Sequence, residues 1–212
     1  MARSTTKPRV RSPAATRDKL LRAAFEEIYR RGFQAASLDT ILEKAGVTKG
    51  ALYHHFPDKA ALGHAVVDEV VNGFLLQRWG IGSLARVERD PLSALQQILR
   101  RRSAELTARE VELGCPLNNL AQEMSPLDER FRRRVSATFG TWTNAFAAAM
   151  QKGQAEGTVR RDLDAPKVAG FIVAAIEGSF GLAKSAKSPS LLRANLEVLS
   201  TFLETLRPAG KA

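Results

Sequence analysis

The most reactive side chain in the sequence is Cys115, the single cysteine of the 212-residue chain. A catalytic thiol needs a base beside it. The three histidines, His54, His55 and His64, all lie in the N-terminal third, far from Cys115 along the chain. No glycine-rich phosphate loop, metal triad or paired-carboxylate motif stands out either. We therefore expect no enzymatic activity, no cofactor and no metal site.

Cys115 could instead sense electrophiles or oxidants. It precedes Pro116 at a predicted helix start, where the positive end of the helix would stabilise a thiolate and lower its pKa. The alternative is a small, half-buried residue near a helix start. The chain has no second cysteine to resolve an oxidised thiol, which favours that alternative, and a lone cysteine is compatible with a reducing cytoplasm.

The segment from Thr48 to His54 carries side chains that could bind a partner through hydrogen bonds and positive charge. Lys49 supplies a cation and Tyr53 a phenol. Gly50 would cost about 1 kcal/mol relative to alanine inside a helix, so its presence there suggests close approach to a partner. The chain carries a net charge of +10, with most of the excess in residues 1–64. A phosphate backbone is a suitable partner for such a segment.

Helical periodicity runs almost throughout from Thr16, and no convincing strand is present, so the predicted fold class is all-α. The longest apolar run is nine residues, Val168 to Ile176, which is too short to span a bilayer. Four helices are predicted first: one over about 17–31, one capped by Ser37 and ended by Gly46, a short one from Thr48 to His55, and a long one capped by Asp58.

The two short helices, joined by a turn around Gly46, have the dimensions of a helix-turn-helix. Residues 37–62, SLDTILEKAGVTKGALYHHFPDKAAL, closely resemble the DNA-binding domain of the tetracycline-repressor (TetR) family of bacterial transcription regulators. The densest match is AGVTKG followed by LYHHF. The resemblance implies a homodimer that binds a palindromic operator on double-stranded DNA and is released when a small-molecule effector enters the C-terminal domain.

The resemblance also assigns residues to the DNA. Five residues are placed at the DNA by this resemblance: Thr48, Lys49, Gly50, Tyr53 and His54. Lys59 is placed at a phosphate beside the start of the fourth helix. Ser37 and Thr40 lie at the start of the second helix, where free N–H groups favour a phosphate, although a plain N-cap is the alternative for Ser37. His55 faces either inward or outward. A non-specific, nucleoid-type DNA-binding protein is the alternative function.

The predicted organisation is a flexible basic arm over residues 1–15, a helix-turn-helix domain over 16–64, and an effector-binding and dimerisation domain over 65–212. Cap residues followed by proline divide the last of these. Five more helices are predicted there, for nine in all: 91–110, 116–123, 126–155, 165–185 and 189–206.

The last two predicted helices carry more apolar surface than one core requires. The eighth has a bulky face that includes Phe171 and Ile176, and a second face of small residues that includes Gly178 and Gly181. The ninth has a leucine stripe through Leu199 and a second apolar stripe. Their surplus predicts a homodimer through a four-helix interface.

An effector pocket is predicted among the fourth to eighth helices, where bulky apolar side chains meet a few polar ones. The seventh helix offers an aromatic stripe and the sixth offers amides that could orient a ligand. The candidate residues are Cys115, Asn118, Gln122, Trp142, Phe146 and Ile176.

Overall fold

The structure is a computed structural model that describes residues 12–80, 84 and 90–209. Within these ranges the regular elements are helices, and no strand occurs. They divide into two compact units, with the boundary between Val66 and Val67.

The first unit contains four helices: α1 (Pro13–Arg31), α2 (Leu38–Ala45), α3 (Lys49–His55) and α4 (Lys59–Ala65). Each begins at a side-chain cap, and the caps of α2, α3 and α4 are the predicted Ser37, Thr48 and Asp58. α1 packs against the other three helices. Its core comprises Leu20, Ala24, Ile41, Leu52 and Phe56.

The start of α1 differs from the prediction. Ser12 caps the helix by accepting a hydrogen bond from the Ala15 N–H at 3.2 Å, and Pro13 occupies the first turn. The helix therefore begins four residues before Arg17. Residues 12–15 of the predicted arm are part of the cap and first turn, and residues 1–11 lie outside the described ranges.

Helical conformation continues after α4 through a π-helical turn (Val66–Val71) and α5 (Asn72–Arg78). The second unit then holds α6 (Pro91–Glu105), α7 (Ala108–Leu113), α8 (Pro116–Met124), α9 (Glu129–Glu156), α10 (Ala165–Ala186) and α11 (Pro189–Glu204). α10 packs against α9 and α11, and α11 packs against α6.

Two predicted boundaries in this unit are wrong. The helix expected over 91–110 stops at Glu105, because Thr107 starts α7 with a capping box to Glu110. The helix expected from Pro126 begins at Glu129, capped by Asp128. Ser125 instead ends α8, and Asp128 N–H donates to the Met124 carbonyl at 2.9 Å. α4, the π-helical turn and α5 together correspond to one predicted helix, and α6 and α7 together correspond to another. Counted in this way, the described residues form the nine helical segments that were predicted.

α10 is the one helix in the described residues that is long and apolar enough to cross a membrane by length and composition. The apolar composition of α10 is explained by packing within the protein, because one of its faces is buried in the core of the second unit. This face includes Ala169, Ile172, Ile176 and Phe180. Phe171, predicted on this inner face, is 55% exposed. It projects with Leu182 on the outer side of the unit.

Candidate DNA-binding surface and effector site

The outward face of α3 brings together the side chains predicted to reach DNA. Lys49, Gly50, Tyr53 and His54 are all exposed, and their spacing places them on one side of the helix. Leu52 is buried on the opposite side. Tyr53 is 44% exposed, and an exposed tyrosine offers a partner both an apolar ring and a hydroxyl group.

Gly50 is not required by the protein itself. A Cβ built on it would have the Thr48 hydroxyl at 4.0 Å as its one neighbour within range. The backbone there has no positive φ angle. A surface that approaches the helix from outside would give this glycine its role.

The cap residues already have a structural role. Ser37 accepts a hydrogen bond from the Thr40 N–H at 3.4 Å, and Thr48 accepts one from the Ala51 N–H at 3.2 Å. The plain N-cap alternative for Ser37 is therefore realised. Between α2 and α3, Gly46 takes the left-handed conformation with φ 62°, and Val47 N–H donates to the Leu42 carbonyl at 3.2 Å. This turn fixes the angle at which α3 leaves α2.

Lys59 and His55 have neighbours inside the first unit. Lys59 is half-buried; its ammonium donates to the Gln34 carbonyl at 3.0 Å and lies 5.1 Å from the centre of the Phe33 ring. The charge that the resemblance puts at a phosphate is thus held beside the start of α4. His55 is half-buried, with its ring 6.4 Å from that of Phe56, whereas His54 is exposed.

A buried acid that the sequence analysis did not identify joins α1 to α2. Glu27 forms ion pairs with Lys44 at 3.0 Å and with Arg31 at 3.2 Å. Burial alone would raise its pKa, but the Lys44 hydrogen bond and the two positive charges hold the pKa below its usual value. Glu27 therefore stays ionised and fixes α2, the helix that carries the turn into α3.

The second unit places the predicted aromatic residues in its core. Trp142 and Phe146 are buried, with ring centres 6.1 Å apart. Trp79, which the prediction missed, lies 5.2 Å from Trp142 and 6.3 Å from Phe180. We call Trp79, Trp142 and Phe180 the aromatic cluster. Both tryptophans of the chain belong to it.

Arg102 covers one side of this cluster, with its guanidinium 5.7 Å from the Trp79 ring. It is paired with Glu105 at 3.3 Å and Glu110 at 3.1 Å. Burial, followed by the nearby Arg78 charge, lowers the pKa of Arg102 to about 10. Arg102 therefore remains charged at neutral pH, and its charge is compensated by the two acids.

Cys115 is buried, and its environment is the reverse of the one predicted. Burial and the adjacent Glu177 carboxyl raise the pKa of the thiol well above its ordinary value, and this outweighs the N–H groups of Asn118 and Leu117 at the start of α8. The predicted thiolate-stabilising effect is thus wrong as the dominant influence. Gly114, with φ 77°, allows the loop to approach α10, since a Cβ there would lie 3.0 Å from the Lys184 side chain.

The amide side chains of α8 do not lie where the prediction placed them. Gln122 is exposed and Asn118 is half-buried. Asn119 instead faces α10: it donates to the Leu113 carbonyl at 2.7 Å and accepts a hydrogen bond from Lys184 at 3.1 Å. Gln122 therefore lies away from the buried side chains that it was expected to join.

Glu177 lies beside the buried effector candidates and was missed. It is adjacent to Ile176, and both side chains are buried. The helical spacing contained the signal: position 177 follows Val173 by four residues and precedes Phe180 by three, so it falls on the inner face. It is also the single acidic residue of α10.

A cavity of about 590 Å³ lies between α6 and α11 and is lined by, among others, Gln96, Arg100, Arg193 and Glu197. None of the predicted effector residues lines it. The cavity is therefore separate from the buried region around Cys115 and Trp142.

Slow modification of Cys115 is an expected consequence of its environment. Iodoacetamide should label the folded protein at least about tenfold more slowly than it labels free cysteine near neutral pH, because the thiol is 5% exposed and its pKa is raised. Mass spectrometry of samples quenched at intervals measures the rate.

Labelling in denaturant is the control, since the chain has no other cysteine. Folded protein that reacts as fast as free cysteine would restore the sensor interpretation.

A short exposed helix that follows a glycine turn is the arrangement of a helix-turn-helix DNA-binding motif. Comparison of the chain with known protein families agrees with a DNA-binding function. Residues 20–66 match the family described as "Bacterial regulatory proteins, tetR family", and residues 91–197 match "Transcriptional regulator LmrA/YxaF-like, C-terminal domain".

Named proteins show the same relationship. The chain is 31% identical to the transcriptional regulator AcuR of Cereibacter sphaeroides, over 82% of this chain and 78% of that protein. It is 28% identical to the transcriptional repressor DhaR of a Mycobacterium species, over 91% and 93%. The crystal structure of a TetR regulatory protein from Rhodobacter sphaeroides superposes with a TM-score of 0.74 at 28% identity, covering 88% of this chain and 97% of that one.

The chain therefore belongs to the TetR family. It is a DNA-binding transcriptional regulator and not an enzyme.

Proposed function

We propose that this regulator is a cytoplasmic repressor that binds a palindromic operator as a homodimer and releases it when a small molecule binds the second unit. The observation that carries the DNA contact is the outward face of α3, where Lys49, Gly50, Tyr53 and His54 are exposed together. Thr48 and Ser37, at the starts of α3 and α2, add hydroxyl groups at helix N-termini, which suit phosphates.

A dimer surface is available on α10 and α11. Phe171 and Leu182 on α10 and Val198 on α11 are exposed large apolar side chains. A Cβ added at Gly178 or Gly181 would meet nothing within 4 Å, so the small-residue side of α10 is open to close approach. Exposed apolar side chains beside an open small-residue surface support the proposed two-fold interface.

A footprint on the DNA upstream of the protein's own gene tests the operator. A regulator should protect a discrete palindromic site at protein concentrations that leave neighbouring DNA open. Protection without sequence preference would favour the nucleoid-type alternative.

Removal of the α3 side chains should weaken DNA binding. Lys49→Ala should lower affinity for operator and random DNA alike and reduce the salt slope by about one, because one phosphate contact is lost. Tyr53→Phe should lower affinity further by removing the hydroxyl. Fluorescence anisotropy over a range of salt concentrations measures both effects.

Lys152→Ala, which removes an exposed lysine from α9, is the matched control and should bind as the unaltered protein does. Unaltered operator affinity in the Lys49→Ala/Tyr53→Phe double variant would exclude α3 as the recognition helix.

A further inference from the structure

Glu177 is a buried acid without a hydrogen-bonding partner for its charge. It is 7% exposed, and neither carboxylate oxygen accepts a hydrogen bond from an N–H or O–H group of the described residues. The Cys115 thiol, a weak donor, is the group that interacts with it. Among the described residues, no other group accounts for an ionisable side chain at this position.

In the part of the chain that the structure describes, the helices packed on α10 supply no compensating cation. α7, α9 and α11 contact α10, and of the ionisable groups described only Cys115 acts on the Glu177 carboxyl. Lys184, two turns further along α10, donates to Asn119. Arg102 is held by Glu105 and Glu110. Both of these cations thus already have partners.

Glu177 lies on the helix that contributes Phe180 to the aromatic cluster. Phe180, one turn further along α10, belongs to the aromatic cluster with Trp79 at 6.3 Å. The indole nitrogen of Trp142 is buried and likewise lacks a hydrogen-bond partner within the described chain. Two unpartnered polar groups and three aromatic rings therefore occur in the interior of one unit.

A carboxylate only accepts hydrogen bonds, and a buried one is stabilised most by a partner that brings both donors and positive charge. Burial raises the pKa of Glu177 to about 7, so both protonation states are accessible near neutral pH. A bound cation would keep the carboxylate form.

We propose that Glu177 is the anchor of the effector site and that the effector is an organic cation with N–H donors on an aromatic or apolar body, of the amine or amidine class. This inference rests on the proposed effector-controlled function. It assigns a ligand class to the second unit and a binding residue to α10.

Benzamidine and benzamide form a matched pair of probes, because they share shape and aromatic ring but only benzamidine is a cation. Both tryptophans lie in the aromatic cluster, so intrinsic fluorescence reports binding directly. At pH 8 benzamidine should bind the unaltered protein about tenfold or more tightly than benzamide does, as expected for charge-assisted hydrogen bonds.

Glu177→Gln should lower benzamidine affinity by about tenfold or more and leave benzamide affinity within about twofold. Glu112→Gln, on the exposed surface of α7, is the matched control and should change neither. In the unaltered protein benzamidine affinity should rise between pH 6 and pH 8, because the cation requires the carboxylate. That rise should be absent from Glu177→Gln. A circular dichroism melt confirms that each variant is folded.

Equal affinity for the two probes, no saturable benzamidine binding, or a folded Glu177→Gln variant that keeps full benzamidine affinity would each overturn the cation site. Operator anisotropy with and without saturating benzamidine tests the proposed function separately. Binding without DNA release would contradict effector control by this site while the cation site stands. Release in the unaltered protein, lost in Glu177→Gln, supports both.

Discussion

Val198→Glu and Gly178→Glu are expected to be folded monomers that have lost most of their affinity for the operator. Val198 is 69% exposed, and a side chain at Gly178 would extend into open space, so neither glutamate disturbs the core of the isolated chain. Across a two-fold axis each charge would be buried beside its own copy, which is strongly unfavourable. Sedimentation velocity should show a single species near the mass of one 23.2 kDa chain.

The loss of operator affinity follows from the loss of two-site binding. In a dimer the second helix-turn-helix binds at a high effective concentration, which contributes about 10²- to 10⁴-fold in overall affinity. Monomers should therefore need at least about a hundredfold more protein to occupy the same operator. Binding to random DNA should fall less, because one α3 still contacts phosphates.

The control separates a charged surface from a broken interface. Ala137→Glu, on the exposed side of α9, should remain dimeric and bind DNA normally. Leu199→Glu is unsuitable for this purpose, because Leu199 is buried in the core of its own unit. A dimeric Val198→Glu protein with full operator affinity would place the interface elsewhere.

Helix starts were predictable where a cap residue and a proline act locally. Asp90, Asp164 and Ser188 cap the helices expected from their positions, since each side chain bonds a backbone N–H three residues later. Ser125 carries the same pattern before Pro126 but ends a helix instead. There the chain completes a turn, and Asp128, with two N–H groups in reach, caps α9. Competition between adjacent caps is decided by packing, which the local pattern does not contain.

The candidate sites were predictable to different extents. The exposed face of α3 followed from helical spacing and a specific motif. The environment of Cys115 did not, because its pKa depends on burial and on Glu177, which lies 62 positions away in sequence. The same holds for Trp79 beside Trp142: a contact between distant segments is fixed by tertiary packing, and single-sequence periodicity gives only the face on which each residue lies.

Glu177 makes stability depend on pH in a way that one substitution should remove. Burial raises its pKa from 4.5 to about 7 in the folded protein. The folded state therefore holds the proton more tightly than the unfolded chain does. The stabilising effect of the protonated form is complete below about pH 4.5 and is lost as the pH rises through about 7.

The size of the effect follows from the two pKa values. One pKa unit corresponds to about 1.4 kcal/mol, so ionisation of Glu177 should cost the second unit about 3 kcal/mol between mildly acidic pH and pH 8. Glu177→Gln cannot ionise. Its free energy of unfolding relative to the unaltered protein should therefore rise by about this amount over the same range. Urea unfolding followed by tryptophan fluorescence measures it, since Trp79 and Trp142 both report on this unit.

Glu112→Gln, an exposed acid exchanged in the same way, should leave the pH profile of stability unchanged. Cys115 does not contribute below pH 8, because its own pKa is raised well above the ordinary value of 9.0. Parallel profiles for the unaltered protein and Glu177→Gln between pH 5 and pH 8 would show that the carboxyl is already compensated in the folded state. A difference that grows with pH would identify Glu177 as the ionisable group whose charge the isolated fold leaves unpaired.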